Sequence, residues 1–117
     1  MRAILSNGGG TVWGVIEETV IEEACRRITV AAPQARVILF GSHARGEAGA
    51  DSDLDLLVVE PEVADAGREA VRLMRALRDL RVPAEVIVVS DHYVEVWREV
   101  RGSLVHAALS EGRVLAG

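Results

Sequence analysis

No lysine occurs in the 117 residues: all 13 basic side chains are arginine, set against 18 acids, for a formal net charge of −5. Broad, non-specific nucleic-acid binding needs clustered positive charge, so the acidic balance argues against it. A nucleotide is not excluded, because its phosphates can be held by backbone amides, one arginine and a metal ion. Cysteine is almost absent as well. A single Cys25 rules out a disulfide within the chain, and its place in a helical pattern reads as a small buried hydrophobe. Aromatic residues make up 3% although half the chain is hydrophobic. The core must therefore be Val, Leu, Ile and Ala, which suits a β-sheet covered by helices. No stretch approaches the roughly 20 apolar residues of a transmembrane helix, and the apolar run in MRAILSNGGG is too short for a signal peptide. The expectation is a cytoplasmic protein with no membrane contact. Its length suits one domain over residues 1–117, with 1–12 loosely held beside Gly8-Gly9-Gly10.

What is present alternates between helical and extended patterns. Residues 14–31 read as a helix, with Ile16, Val20, Ala24 and Ile28 at helical spacing and Ile21 widening the stripe. Glu17, Glu18, Glu22 and Glu23 come early and Arg26 and Arg27 late, which complements the helix dipole. Pro33 stops it. Arg36 to Phe40 has strand character, residues 43–51 read as a short helical turn and then a loop, and residues 53–60 make a second strand. Residues 63–81 carry Ala66, Ala70, Leu73, Leu77 and Leu80 on one helical stripe. Arg68, Arg72, Arg75, Arg78 and Arg81 lie largely off that stripe, as a solvated face partly paired with Asp65, Glu69 and Asp79. A third strand spans Ala84 to Val89. Asp91 can cap a helix running to about Val100, Ser103 to Ser110 form another helical stretch, and Val114-Leu115 a last short strand. The order predicts an α/β (α+β) domain, a three- or four-stranded mixed sheet packed against helices.

The chemistry concentrates in residues 41–55, GSHARGEAGADSDLD. Asp53 and Asp55 stand two apart on a strand, so both side chains point to one face, about 6.6 Å apart at roughly 3.3 Å per residue. Two unpaired like charges on a core strand repel and lose hydration. A hard cation such as Mg²⁺ removes that objection. Ahead of them, Gly41-Ser42 follows an apolar strand and opens a helical turn. Glycine admits close approach of a ligand, and the turn's amides with the Ser42 hydroxyl can hold phosphate oxygens. Arg45 can pair with phosphate or a carboxylate. Ser52 can bond the turn or orient a ligand. Nucleotidyl transfer by two metal ions calls for a third carboxylate, and Glu85 is the one acid in the run Ala84 to Val88. It meets Asp53 and Asp55 if the second and third strands are neighbours, as a metal ligand and a candidate general base. A Rossmann-type dinucleotide binder is a poor reading, for lack of Gly-x-Gly-x-x-Gly between a strand and a helix.

The segments Phe40 to Gly46 and Ser52 to Val58, with the order of elements around them, resemble the minimal nucleotidyltransferases (MNT domains) of the DNA polymerase beta-like superfamily. The closing Glu-Gly-x-Val-Leu, Glu111 to Leu115, fits as well, and the resemblance runs from about residue 14 onward. It implies the nucleotidyltransferase fold, with Gly41 and Ser42 holding the triphosphate of ATP. Asp53 and Asp55 would bind two Mg²⁺ ions and Glu85 would complete the catalytic triad. Family members often carry Asp where this chain has Glu85, one methylene longer. His43 occupies a variable position of the motif. The resemblance further implies an antitoxin that transfers AMP to a helical HEPN toxin partner, with oligomer formation open. The alternative is a nucleotide-binding module that neutralises its partner by contact.

Overall fold

The structure, a computed structural model, describes residues 16–49 and 52–117. The loose end expected over residues 1–12, the first residues of the helix expected from 14, and Asp51 of the loop lie outside the described residues. Helix α1 spans Glu18–Ala31 and buries Ile21, Ala24 and Ile28, with Ile16 buried just ahead and Val20 packed at the edge. It ends two residues before Pro33, whose ring cannot continue it. Strand β1 is Arg36–Phe40 and the short helix α2 is Ser42–Arg45. Strand β2 is Leu54–Glu60, α3 Ala66–Ala76 and β3 Ala84–Ser90. Helices α4 (Asp91–Trp97) and α5 (Leu104–Glu111) precede the short strand β4, Arg113–Ala116.

The four strands form one mixed sheet in the order β3-β2-β1-β4. β1 runs antiparallel to β2 and to β4. β2 and β3 are parallel, and α3 supplies the crossover that a parallel pair requires. Helices cover both faces. Val37, Leu39, Leu54, Leu56, Val58, Val86 and Val88 pack with α1 and α3. Ile38, Leu57, Val59 and Val89 pack with Val94 of α4 and Val105 and Ala108 of α5. Central strand β2 is thus buried on both sides over Leu56–Val59, which is why it reads as a continuous apolar run rather than an alternation.

Local capping adjusts several expected boundaries. The helix expected over 63–81 begins at Ala66, where the Asp65 side chain accepts from Arg68 N. It tightens into a 3₁₀ turn at Arg78–Leu80 that ends with Arg81 at φ 57°. Ser90, not Asp91, caps α4, its Oγ accepting from Tyr93 N at 3.1 Å, and that helix stops at Trp97 rather than near Val100. Cys25 packs partly buried against the α1/α3 core, and burial pushes its thiol up, away from the range of a reactive thiolate.

Candidate active site

β2 enters the sheet at Leu54, whose N–H donates to Pro83 O at 2.9 Å. From there the register is tight: Leu54 pairs with Ala84 and Asp55 with Glu85. Neighbours at one register of a parallel pair present their side chains to the same face, so Asp55 and Glu85 stand side by side. Asp53 lies one residue ahead of the strand. Their face is the one that α4 and α5 cover farther along. At this end Asp53 and Glu85 are exposed and Asp55 is half-buried.

The Asp55 carboxyl reports on this crowding. Its pKa is raised, first by burial, then by the charges of Glu85 and Asp53, against a smaller pull downward from His43 and Arg45. Three like charges within interaction range oppose ionisation of the most buried one, and a cation between them would reverse that opposition. Carboxylate oxygens are the donor type that a hard divalent ion takes. Among the described residues no group of three His, Cys, Asp or Glu side chains is arranged so that it could hold a metal ion. Magnesium commonly takes one or two carboxylates and completes its shell with substrate phosphates and water.

Gly41 closes the site from the β1 side. It sits at φ 76°, ψ −157°, a region essentially reserved for glycine. A Cβ there would overlap Asp55 Oδ2 and come within 3.2 Å of its Cγ. The glycine is thus needed for backbone conformation and for room beside the carboxylate. Gly41 O accepts from Ala44 N at 3.1 Å and Arg45 N at 3.2 Å. As in any helix start, the first amides have no partner within the helix, and no side chain caps them.

The remaining candidates hold the turn. Ser52 Oγ accepts from Gly49 N at 2.9 Å, and His43 Nε2 lies 3.5 Å from Ser52 O, so both brace the loop that delivers Asp53. Arg45 Nε donates to Glu47 at 3.0 Å, and its Nη1 lies 3.6 Å from Glu111 at the end of α5. Its guanidinium is committed to carboxylates and must exchange partners to meet a phosphate. No local pattern in the sequence marks Glu111, which opens the closing Glu-Gly-x-Val-Leu, as a neighbour of the turn, or signals the packing of Gly41 on Asp55.

A family profile described as nucleotidyltransferase domain matches residues 17–114. Among proteins of curated function, none matches the sequence significantly. Several solved structures share the fold. One is a protein of Sulfolobus solfataricus whose assignment as a nucleotidyltransferase is provisional: 19% identity, TM-score 0.56, covering 82% of this chain and 76% of that one. Another is a toxin-antitoxin complex with AMP-PNP, at 22% identity and TM-score 0.52, covering 82% and 73%. A third is from a complex of tri-AMPylated Shewanella oneidensis HEPN toxin with MNT antitoxin, at 20% identity and TM-score 0.51, covering 86% and 73%.

Proposed function

The chain belongs to the nucleotidyltransferase domain family, and from that premise we propose that it transfers AMP from ATP, with magnesium, to a HEPN-type partner protein as the antitoxin of a toxin-antitoxin pair. The observation that carries the reading is the register of Asp55 with Glu85, with Asp53 close enough to raise the Asp55 carboxyl. Fold neighbours described as toxin-antitoxin complexes, one with AMP-PNP and one with a tri-AMPylated HEPN toxin, support the substrate and partner.

In this reading the Ser42 and His43 amides and the Ser42 hydroxyl hold the triphosphate. Asp53, Asp55 and Glu85 would hold magnesium, two ions by family resemblance. Bound magnesium would polarise the α-phosphate and neutralise the departing pyrophosphate. Glu85, exposed at the strand edge, receives the proton of the acceptor hydroxyl. The acceptor oxygen forms its bond to the α-phosphorus while the bond to pyrophosphate breaks. Ser52 and His43 keep the Asp53 loop in place, and Arg45 reaches the phosphates by leaving Glu47 and Glu111.

The test is incubation with ATP labelled at the α-phosphate, Mg²⁺ and the product of the gene neighbouring that of this chain. Label should appear on the partner, and Asp53→Ala should abolish it. If Asp53→Ala neutralises the partner as well as the parent does, the chain acts by contact and the transfer reading is wrong.

A further inference from the structure

The arginine row carried by α3 and the 3₁₀ turn after it is largely unpaired, and beyond it only the isolated Arg101 after α4 is exposed without a carboxylate partner among the described residues. Arg26, Arg27, Arg36, Arg45, Arg72, Arg98 and Arg113 each pair with a carboxylate. Arg68, Arg75, Arg78 and Arg81 are exposed and have no carboxylate partner among the described residues. The residues outside that description contain one acid, Asp51, too few to neutralise four guanidinium groups. Asp79, expected to pair within the row, is instead held by Arg27 of α1. Asp65 is used as the cap of α3.

Between these charges the helix exposes apolar surface. Val71 is 51% and Met74 39% exposed, and with Arg75 and Arg78 they line an open depression of about 510 Å³. Arg68, Val71, Arg75 and Arg78 follow at steps of three, four and three, one stripe of a helical surface. We propose that the outer face of α3 docks an acidic amphipathic helix of a protein partner. Its apolar residues lie over Val71 and Met74 and its carboxylates meet the arginines. Arginine forks match carboxylates bidentately, and arginine and methionine are both enriched at protein interfaces. The charge complementarity is local, four unmatched cations on a chain of net charge −5. A nucleic acid fits less well. The exposed aromatic rings that base stacking uses, Tyr93 and Trp97, lie on α4, in the layer on the opposite face of the sheet. Because α3 also lies opposite the face bearing Asp55 and Glu85, docking there leaves the carboxylates open and does not rest on the transfer reaction.

The experiment is backbone-amide NMR of the full chain titrated with three probes. They are a synthetic Glu/Leu amphipathic helical peptide, its Lys/Leu counterpart and a short single-stranded RNA. The expected result is shifts confined to residues 66–81 with the Glu/Leu peptide only. Binding weakens about tenfold or more in the Arg75→Glu/Arg78→Glu variant, and that variant prefers the Lys/Leu peptide. Met74→Ser, which keeps the charges, should also weaken the Glu/Leu peptide, as a purely ionic contact would not. Failure of the Glu/Leu peptide to bind, shifts centred elsewhere, or insensitivity to charge reversal overturns the proposal. So does RNA binding of equal strength through the same arginines.

Discussion

At the scale of single residues, Gly41 and Glu60 make separable claims. Gly41→Ala introduces backbone strain of about 1–3 kcal/mol and a clash with Asp55 Oδ2. Chemical denaturation should show the loss, and it should be smaller when Asp55→Ala removes the clashing carboxylate. Equal losses in both backgrounds would mean that the two residues do not touch. Glu60, at the far end of β2, has a buried Oε2 with no partner and a pKa pushed up to about 7 by burial and by Glu69. Glu69 is held at about 2, chiefly by Arg72. A proton on Glu60 gives the orphaned oxygen a bond to donate, so the folded state favours the neutral form. For a carboxyl raised in this way, the contribution to stability is full below the ordinary value of 4.5 and is lost as pH rises through about 7. Glu69, lowered, contributes above its ordinary value and loses that contribution as pH falls toward 2. Glu60→Gln keeps a donor and removes the titration. Its melting temperature should fall less than the parent's between pH 5 and 8, and unchanged slopes would exclude the shared proton. The closeness of Asp53 to Asp55 was legible from their spacing, although the strand begins only at Leu54. Glu85 was legible only as a condition on strand neighbours, and the Glu60–Glu69 pair, joined across nine residues of sequence, was not legible at all.

Elements were most legible where one physical cause dominates. The β1 run Arg36–Phe40, the stop of α1 before Pro33 and the α3 stripe follow from apolar period and proline chemistry. Boundaries set by a single side-chain bond moved: Asp65 delays α3 and Ser90 displaces Asp91 as the cap of α4. Strand pairing was not legible, because burial of β2 on both faces erases the alternation that would show which side meets which helix. The α5–β4 junction carries the prediction at this scale. A Cβ on Gly112 would overlap Ala108 O and lie 2.7 Å from Ile38 Cγ2 and 2.8 Å from Leu39 O. Gly112→Ala should therefore destabilise by about 1–3 kcal/mol, the usual range for overpacking. Hydrogen exchange should quicken first in β4 and at the end of β1. Wild-type protection there would show that the junction has slack. Since β1 leads directly into Gly41, the same variant should weaken nucleotide binding without touching a site residue.

For the whole molecule, the sheet works as a two-sided platform. Its mixed topology joins β1 to β2 antiparallel and β2 to β3 parallel, so the end of β1 and the starts of β2 and β3 meet at one edge. That convergence brings a glycine turn and carboxylates from separate strands together with few residues. No helix among those described is long and apolar enough to cross a membrane. In our proposal this edge binds a nucleotide through a metal ion held by the carboxylates. It is tested most directly by calorimetric titration of the isolated chain with ATP, with Mg²⁺ and with chelator, for the parent and Asp55→Asn. Binding should require Mg²⁺ and weaken about tenfold or more in Asp55→Asn, one lost charged ligand being worth more than about 1.4 kcal/mol. ATP binding of the same strength in chelator, or in Asp55→Asn, would contradict it.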